Sequence, residues 1–457
     1  MLGLNPHTAK AGLLSAVLLL GMLSTTYGDW PTYQHDIRRS GVTDETLTLP
    51  LAQSWVNQSL HPPDPAWTGP AKWDAWAGNR DLQSMRNFDP CFFVTASEGR
   101  VFYGSSVDDA VHAVDLATGA EQWVFFTGAA VRFPPTLHAG WAYFGSDDGT
   151  VCCCDQASGE LVWKKNAGPE NRAITSNRKI ISTWPVRTGV LVHEGHAFFA
   201  GSLVPWETSV LWKVDALTGN HLADDCFRRE VAEVTLQGAM LASSDRLYLP
   251  QGRAAPLAFD IASGKSQGAI GEAGGVFCVL TEDELLVAGP ADQKSADNQI
   301  RIADGSSRRK LATFGGANRI LIDGTQAWVP TDGKLRMLDR KAYVDAQAAI
   351  DAAAAKVKLE KPPTEAAQNA LAAAKADQAA AWRWEVKCAT PQGFIKAGDK
   401  LVIGLSNQVR VLSAVTGQTL WSNPLNGIAH GLAVSDGRLL VSTGKGHIYA
   451  FAPESLP

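Results

Sequence analysis

The chain has 457 residues, of which 45 % are hydrophobic and 19 % charged, and a formal net charge of −5 at neutral pH. That apolar fraction supports a large packed core, and the lack of a basic excess removes nucleic acid and anionic membrane surfaces from the expected partners. The seven cysteines show no spacing that reads as a zinc site, a disulfide framework or a Cys-x-x-Cys-His haem attachment.

Residues 1–28 read as a secretory leader. Lys10 supplies the positive flank, Ala11 to Leu23 the apolar stretch, and Thr26-Tyr27-Gly28 a small-residue cleavage point. The apolar stretch is short for a membrane span, and no cysteine stands beside the cleavage point to carry a lipid. The mature chain, 29–457, is expected in the periplasm or outside the cell, with no membrane span after cleavage.

A strand follows at Leu51-Ala52-Gln53-Ser54-Trp55-Val56, and then Trp67, Trp73 and Trp76 among prolines and glycines. From there a single phrase, Asp-x-x-Thr/Ser-Gly, returns at Asp115–Gly119, Asp155–Gly159, Asp215–Gly219 and Asp260–Gly264, with a degraded copy at Ser413–Gly417. The Asp side chain accepts from amides two and three residues on, and the Gly takes the positive φ of such a turn. In three copies a tryptophan stands four residues after the glycine: Trp123, Trp163 and Trp421.

Each turn is preceded by two or three short apolar strands, as in Gly99-Arg100-Val101-Phe102-Tyr103-Gly104 and Gly140-Trp141-Ala142-Tyr143-Phe144-Gly145. Four strands repeating every roughly 40–60 residues mark a β-propeller. Blades start near Cys91, Arg132, Arg187, Gln237, Gly275, Ala317, Gln392 and His430, which makes eight. The last blade has three strands, ending at His447-Ile448-Tyr449-Ala450-Phe451. An unpaired edge there is a liability, and Leu51–Val56 is the expected partner, with Trp55 in the place of the blade tryptophans. The expected structural tryptophans are therefore Trp55, Trp123, Trp163 and Trp421.

Two chemical-looking runs fall inside this pattern. Cys152-Cys153-Cys154 occupies strand positions filled by His112-Ala113-Val114 in the sibling repeat, so it reads as core. His193-Glu194-Gly195-His196 lacks the spacing that sets two imidazoles on one helix face and aligns with hairpin turns, so no metal is expected. From Asp345 to Ala381 the chain turns Ala-rich, broken by Pro362-Pro363, with Thr364 placed to cap a second helix. The fold class read from these features is all-β: an eight-bladed β-propeller (29–457) closed by an N-terminal strand, with an inserted α-helical hairpin at 345–381.

These repeats resemble the pyrroloquinoline-quinone-type (PQQ-like) propeller repeat. It is seen in quinoprotein alcohol dehydrogenases and in the propeller lipoprotein of the outer-membrane β-barrel assembly machinery. Asp29-Trp30-Pro31-Thr32-Tyr33-Gln34-His35-Asp36, followed by Arg39-Ser40-Gly41-Val42-Thr43, resembles the segment that opens many such propellers. Ile181–Gly189, Pro250–Pro256 and the helical insert resemble exported propellers of planctomycete-type bacteria.

The resemblance implies either a scaffold or a dehydrogenase. Quinone chemistry would require a calcium ion held by carboxylates and an amide, an Asp base and an Arg near the quinone, and no second segment reads as that cluster. The expectation is therefore no catalytic residue, no metal and no cofactor, with PQQ and calcium as the alternative. Ligands are expected at the channel mouth where innermost strands begin, which brings together Arg132, Trp184, Arg187, Gln237, Arg253, Arg319, Gln392 and His430. Guanidiniums there suit carboxylate or phosphate. The function read from this is an exported, non-catalytic scaffold for a partner protein or polymer. The alternatives are a PQQ-dependent oxidoreductase and a binder of small anions or carbohydrate.

Overall fold

The computed structural model describes residues 28–454 apart from 68–70, 75–78, 83–86, 177, 253, 272–273, 276 and 290–298; of 71–74 and 79–82 it describes the backbone. The leader, but for Gly28, lies outside these residues. Six four-stranded antiparallel sheets follow one another, at 94–126, 136–166, 191–231, 241–269, 277–315 and 321–387. A seventh, seven-stranded sheet holds two further blades, because Lys400–Ser413 and Thr419–Ser435 run through what would be separate strands. Its free edge is closed by Leu51–Gln58, antiparallel to His447–Pro453 with Trp55 opposite Ala450. Eight blades thus form a ring that is sealed by its own N-terminal region.

The repeated turn is a lock between neighbours. Asp115 Oδ1 accepts from the amides of Ala117 and Thr118 and from the Thr118 hydroxyl, and Asp155 does the same for Ala157 and Ser158. The indole of the preceding blade lies against this turn. Trp55 Nε1 donates to Leu116 O at 2.9 Å, Trp123 to Gln156 O at 3.2 Å and Trp163 to Ala216 O at 2.9 Å. A Cβ on Gly119, Gly159 or Gly219 would stand 2.7–2.8 Å from those rings. The glycine is therefore required twice, for its positive φ and for the close approach of the indole.

The opening segment laces the inner edge of the ring. Trp30 exchanges backbone hydrogen bonds with Ala96, Leu137 N donates to Pro31 O, Ala242 N to Ile37 O, Leu280 N to Arg38 O and Lys396 N to Gly41 O. These partners lie on the first strands of blades 1, 2, 4, 5 and 7, toward the ends of those strands. Buried Arg39 pins the segment by donating to Met240 O, Thr32 Oγ1, Tyr33 O and Asp36 O. The segment thereby bridges the inner strands of five blades.

The insertion is an α-hairpin, α1 (Arg340–Leu359) and α2 (Glu365–Ala380), which buries Ala346 and Ala353 of one helix and Ala367 and Ala374 of the other. Thr364 caps α2 by accepting from Ala367 N. The first helix starts five residues before the expected Asp345, because Asp339, the last residue of its strand, is itself the cap. Among the described residues, no helix is long and apolar enough to cross a membrane.

Candidate functional site

First strands of neighbouring blades touch one another around the axis, so the residues just before them sit at its mouth. On the side of blades 2 to 4 the structure places Arg132, Arg187 and Gln237, all buried. Between the two guanidiniums lies Asp147, in the hairpin loop of blade 2. Its Oδ2 accepts from Arg132 Nε at 2.7 Å and Arg187 Nη2 at 2.8 Å, and its Oδ1 from Arg187 Nε at 2.9 Å. Burial alone would raise this carboxyl, but Arg187 and Arg132 outweigh it and hold it at about 2. Arg132 also reaches Asp89 Oδ2 at 2.5 Å and Asp64 O at 2.8 Å.

The segment between the closing strand and blade 1 covers this cluster. Ala66 N donates to Asp89 Oδ2, Trp67 Nε1 donates to Gln237 Oε1, and the Arg187 guanidinium lies 5.6 Å from the Trp67 ring centre. Phe88 stacks on Phe133 at 5.4 Å, and Tyr33 meets Phe133 and Phe93 edge-on. The result is an aromatic plug with two guanidiniums balanced by two carboxylates. Asp89 Oδ1 and Gln237 Nε2 are the buried polar atoms of this cluster without a hydrogen-bond partner.

The side of blades 6, 8 and 1 is different. Arg319 precedes the first strand of blade 6, packs 5.6 Å from the Phe277 ring centre, and makes no hydrogen bond or ion pair with any described carboxylate. Its electrostatic neighbours are Tyr33 and Cys91, both neutral, so burial lowers its pKa against only weak opposition. Burial pushes the Tyr33 hydroxyl and the Cys91 thiol up, with Arg319 opposing both. His430, at the start of blade 8, is driven down to about 4 by burial and by Arg319, so it is neutral near pH 7. Asn318 donates to Pro391 O at 3.1 Å and leaves its Oδ1 without a partner.

The remaining expected residues are placed apart from these groups. Trp184 is buried under the Arg172 guanidinium and donates to Thr208 O. Gln392 is partly buried, with its backbone bonded to Gly404. Arg253 lies outside the described residues. The three consecutive cysteines alternate between the two faces of their strand and pack into separate cores, Cys152 and Cys154 in one and Cys153 in the other. All seven cysteines are unpaired. Sequence reasoning missed Asp89 and Asp147, which look like ordinary loop acids, and Tyr33, which comes from the lacing segment.

A family model described as outer membrane protein assembly factor BamB matches residues 107–275 and 366–455, more than half of the chain. The chain belongs to this PQQ-like propeller family. Among solved structures, the PQQ-like ring is similar to the quinohemoprotein alcohol dehydrogenase from Comamonas testosteroni. The identity is 13 %, with 94 % of this chain and 82 % of that chain covered and a TM-score of 0.59. A europium-containing methanol dehydrogenase is 10 % identical, with 93 % and 98 % covered and a TM-score of 0.59. BamB from Moraxella catarrhalis is 11 % identical, with 88 % and 100 % covered and a TM-score of 0.49. No curated protein sequence matches. At these identities the likenesses to the two dehydrogenases establish the fold of this PQQ-like propeller and nothing of its chemistry.

Proposed function

We propose that this PQQ-like propeller is an exported, non-catalytic binding protein that takes an acidic group of a partner protein or polymer at the axis, beside Arg319. The observation that carries the reading is the imbalance of charge. Arg132 and Arg187 are matched by Asp89 and Asp147, whereas Arg319 has only neutral neighbours among the described residues. Keeping a partly buried guanidinium without a counter-ion is costly, and a carboxylate or phosphate brought by a partner offsets that cost.

Quinone chemistry is the second reading, and the donor set fits it poorly. Calcium takes roughly six to eight oxygen ligands. The axial carboxylates among the described residues are engaged by guanidiniums, with Asp89 Oδ1 alone to spare.

Titration with a polyglutamate peptide tests the proposal, with polylysine as the control. Saturable polyglutamate binding that Arg319→Met weakens by about 10- to 100-fold is expected, the worth of one charge-assisted contact. Equal affinity in wild type and variant would overturn it. Tight binding of PQQ that depends on calcium would move the protein to the oxidoreductase class.

A further inference from the structure

One end of blade 3, where its second strand begins and its last strand is entered, carries a group of ligating side chains separate from the axial clusters. His196 opens the strand His196–Gly201, and Asp225 and Cys226 immediately precede Phe227–Val231. Both strands flank Ser209–Asp215, with His196 opposite Asp215 and Phe227 opposite Lys213. The sheet register therefore brings the three side chains together, although 29 residues separate His196 from Asp225. Their ligating atoms all lie within 4.8 Å of one another. His196 Nε2 stands 2.8 Å from Asp225 Oδ2, and Cys226 Sγ 3.8 Å from Asp225 Oδ1.

The hydrogen bonding of the imidazole points the same way. His196 Nδ1 lies 2.9 Å from the Glu194 carbonyl oxygen. A carbonyl only accepts, so Nδ1 carries the hydrogen and a neutral ring turns the Nε2 lone pair toward Asp225. A single proton shared between Nε2 and Asp225 Oδ2 accounts for the 2.8 Å contact, and a metal ion would take that proton's place. An Nδ1–H held by a backbone carbonyl is also the support that fixes metal-binding imidazoles. Here that carbonyl is rigidly placed: Glu194 and Gly195 form a two-residue hairpin turn with φ of 47° and 76°.

We propose that His196, Asp225 and Cys226 bind a zinc ion, leaving a fourth position for water or a partner's side chain. A nitrogen, an oxygen and a thiolate suit zinc, whereas the sulfur disfavours magnesium and calcium. Tetrahedral zinc at its usual bond lengths sets ligand atoms roughly 3.3–3.7 Å apart. Side-chain rotation at these partly exposed positions opens the His196–Asp225 contact and draws the sulfur in. The thiol proton leaves on binding, so affinity rises with pH.

The test is titration of the reduced, metal-stripped protein with cobalt(II), a spectroscopic stand-in for zinc, followed by competition with zinc. One equivalent should produce a saturating thiolate-to-cobalt charge-transfer band that zinc abolishes. Cys226→Ser should remove the band. His196→Ala and the near-isosteric Asp225→Asn should each weaken zinc by more than about tenfold, the scale on which even supporting partners act. His193→Ala, one turn residue pair away, should leave binding unchanged. Alkylation gives a second readout, because Cys226 is partly exposed while the other six cysteines are buried, and zinc should slow its modification. The proposal fails if no saturating band forms, if the band survives Cys226→Ser, or if zinc leaves the alkylation rate of Cys226 unchanged.

Discussion

The two sides of the ring axis use the same residue type to opposite effect. Beside blades 2 to 4, Arg132 and Arg187 share Asp147, and Arg132 also holds Asp89, so each buried cation has a carboxylate within 2.5–2.8 Å. Beside blades 6, 8 and 1, Arg319 faces Tyr33, Cys91 and a neutral His430. All three arginines precede the first strand of their blade, so repeat position does not separate them. What separates them is the loop acid that a neighbouring segment delivers. One side is matched internally, whereas on the other Arg319 has no carboxylate partner among the described residues.

The comparison breaks most visibly at Asp147. Asp147→Asn keeps the shape of the side chain and removes the charge that two buried guanidiniums share. It should cost about 3–5 kcal/mol in urea unfolding. A loss below about 1 kcal/mol would show that the matched cluster contributes little.

His430 gives a smaller effect with a defined pH window. Its folded pKa of about 4 lies below the unfolded value near 6.5. Above pH 6.5 both states are neutral and the group contributes nothing. As pH falls from about 6.5 toward 4, the unfolded chain takes up the proton first, so stability is lost, by about 3 kcal/mol in all. His430→Gln should flatten that part of the stability–pH curve. A bound anion beside Arg319 should narrow the window by raising the His430 pKa, which NMR titration of the imidazole would report.

The smallest expected change is at Arg319 itself. With no ligand present, Arg319→Met should alter stability by less than about 1 kcal/mol or raise it, since a partly buried charge without a carboxylate partner among the described residues is replaced by an apolar side chain of similar length. If the variant is as destabilised as Asp147→Asn, the two sides of the axis are alike and the asymmetry has no functional meaning.

Much of the architecture was legible in the chain because it is local and repeated. The Asp-x-x-Thr/Ser-Gly turn is complete within five residues: the Asp115 carboxylate, the amides it binds and the glycine φ are near neighbours in sequence. The same holds for Thr364 capping α2. The closing strand at Leu51–Gln58 could be inferred from a missing partner and an indole in the right place. The helical start at Arg340 was missed because its cap belongs to a strand.

The axial chemistry was only half legible. Repeat alignment placed Arg132, Arg187, Gln237, Arg319 and His430 at the starts of inner strands, but it carried no information on what stands opposite them. Asp147 reaches Arg187 across 40 residues and Asp89 reaches Arg132 across 43. Tyr33, which occupies the channel beside Arg319, comes from the lacing segment. His196, Asp225 and Cys226 likewise meet only through the register of blade 3.

By itself, then, the sequence determined the repeating unit, the number of blades and the way the ring closes, since short-range turns and alternating strands specify their own geometry. Only the tertiary structure decided which of the axial charges find a carboxylate among the described residues. Charge pairing at the axis depends on loops from distant blades converging there, and no local pattern encodes a distance across a ring.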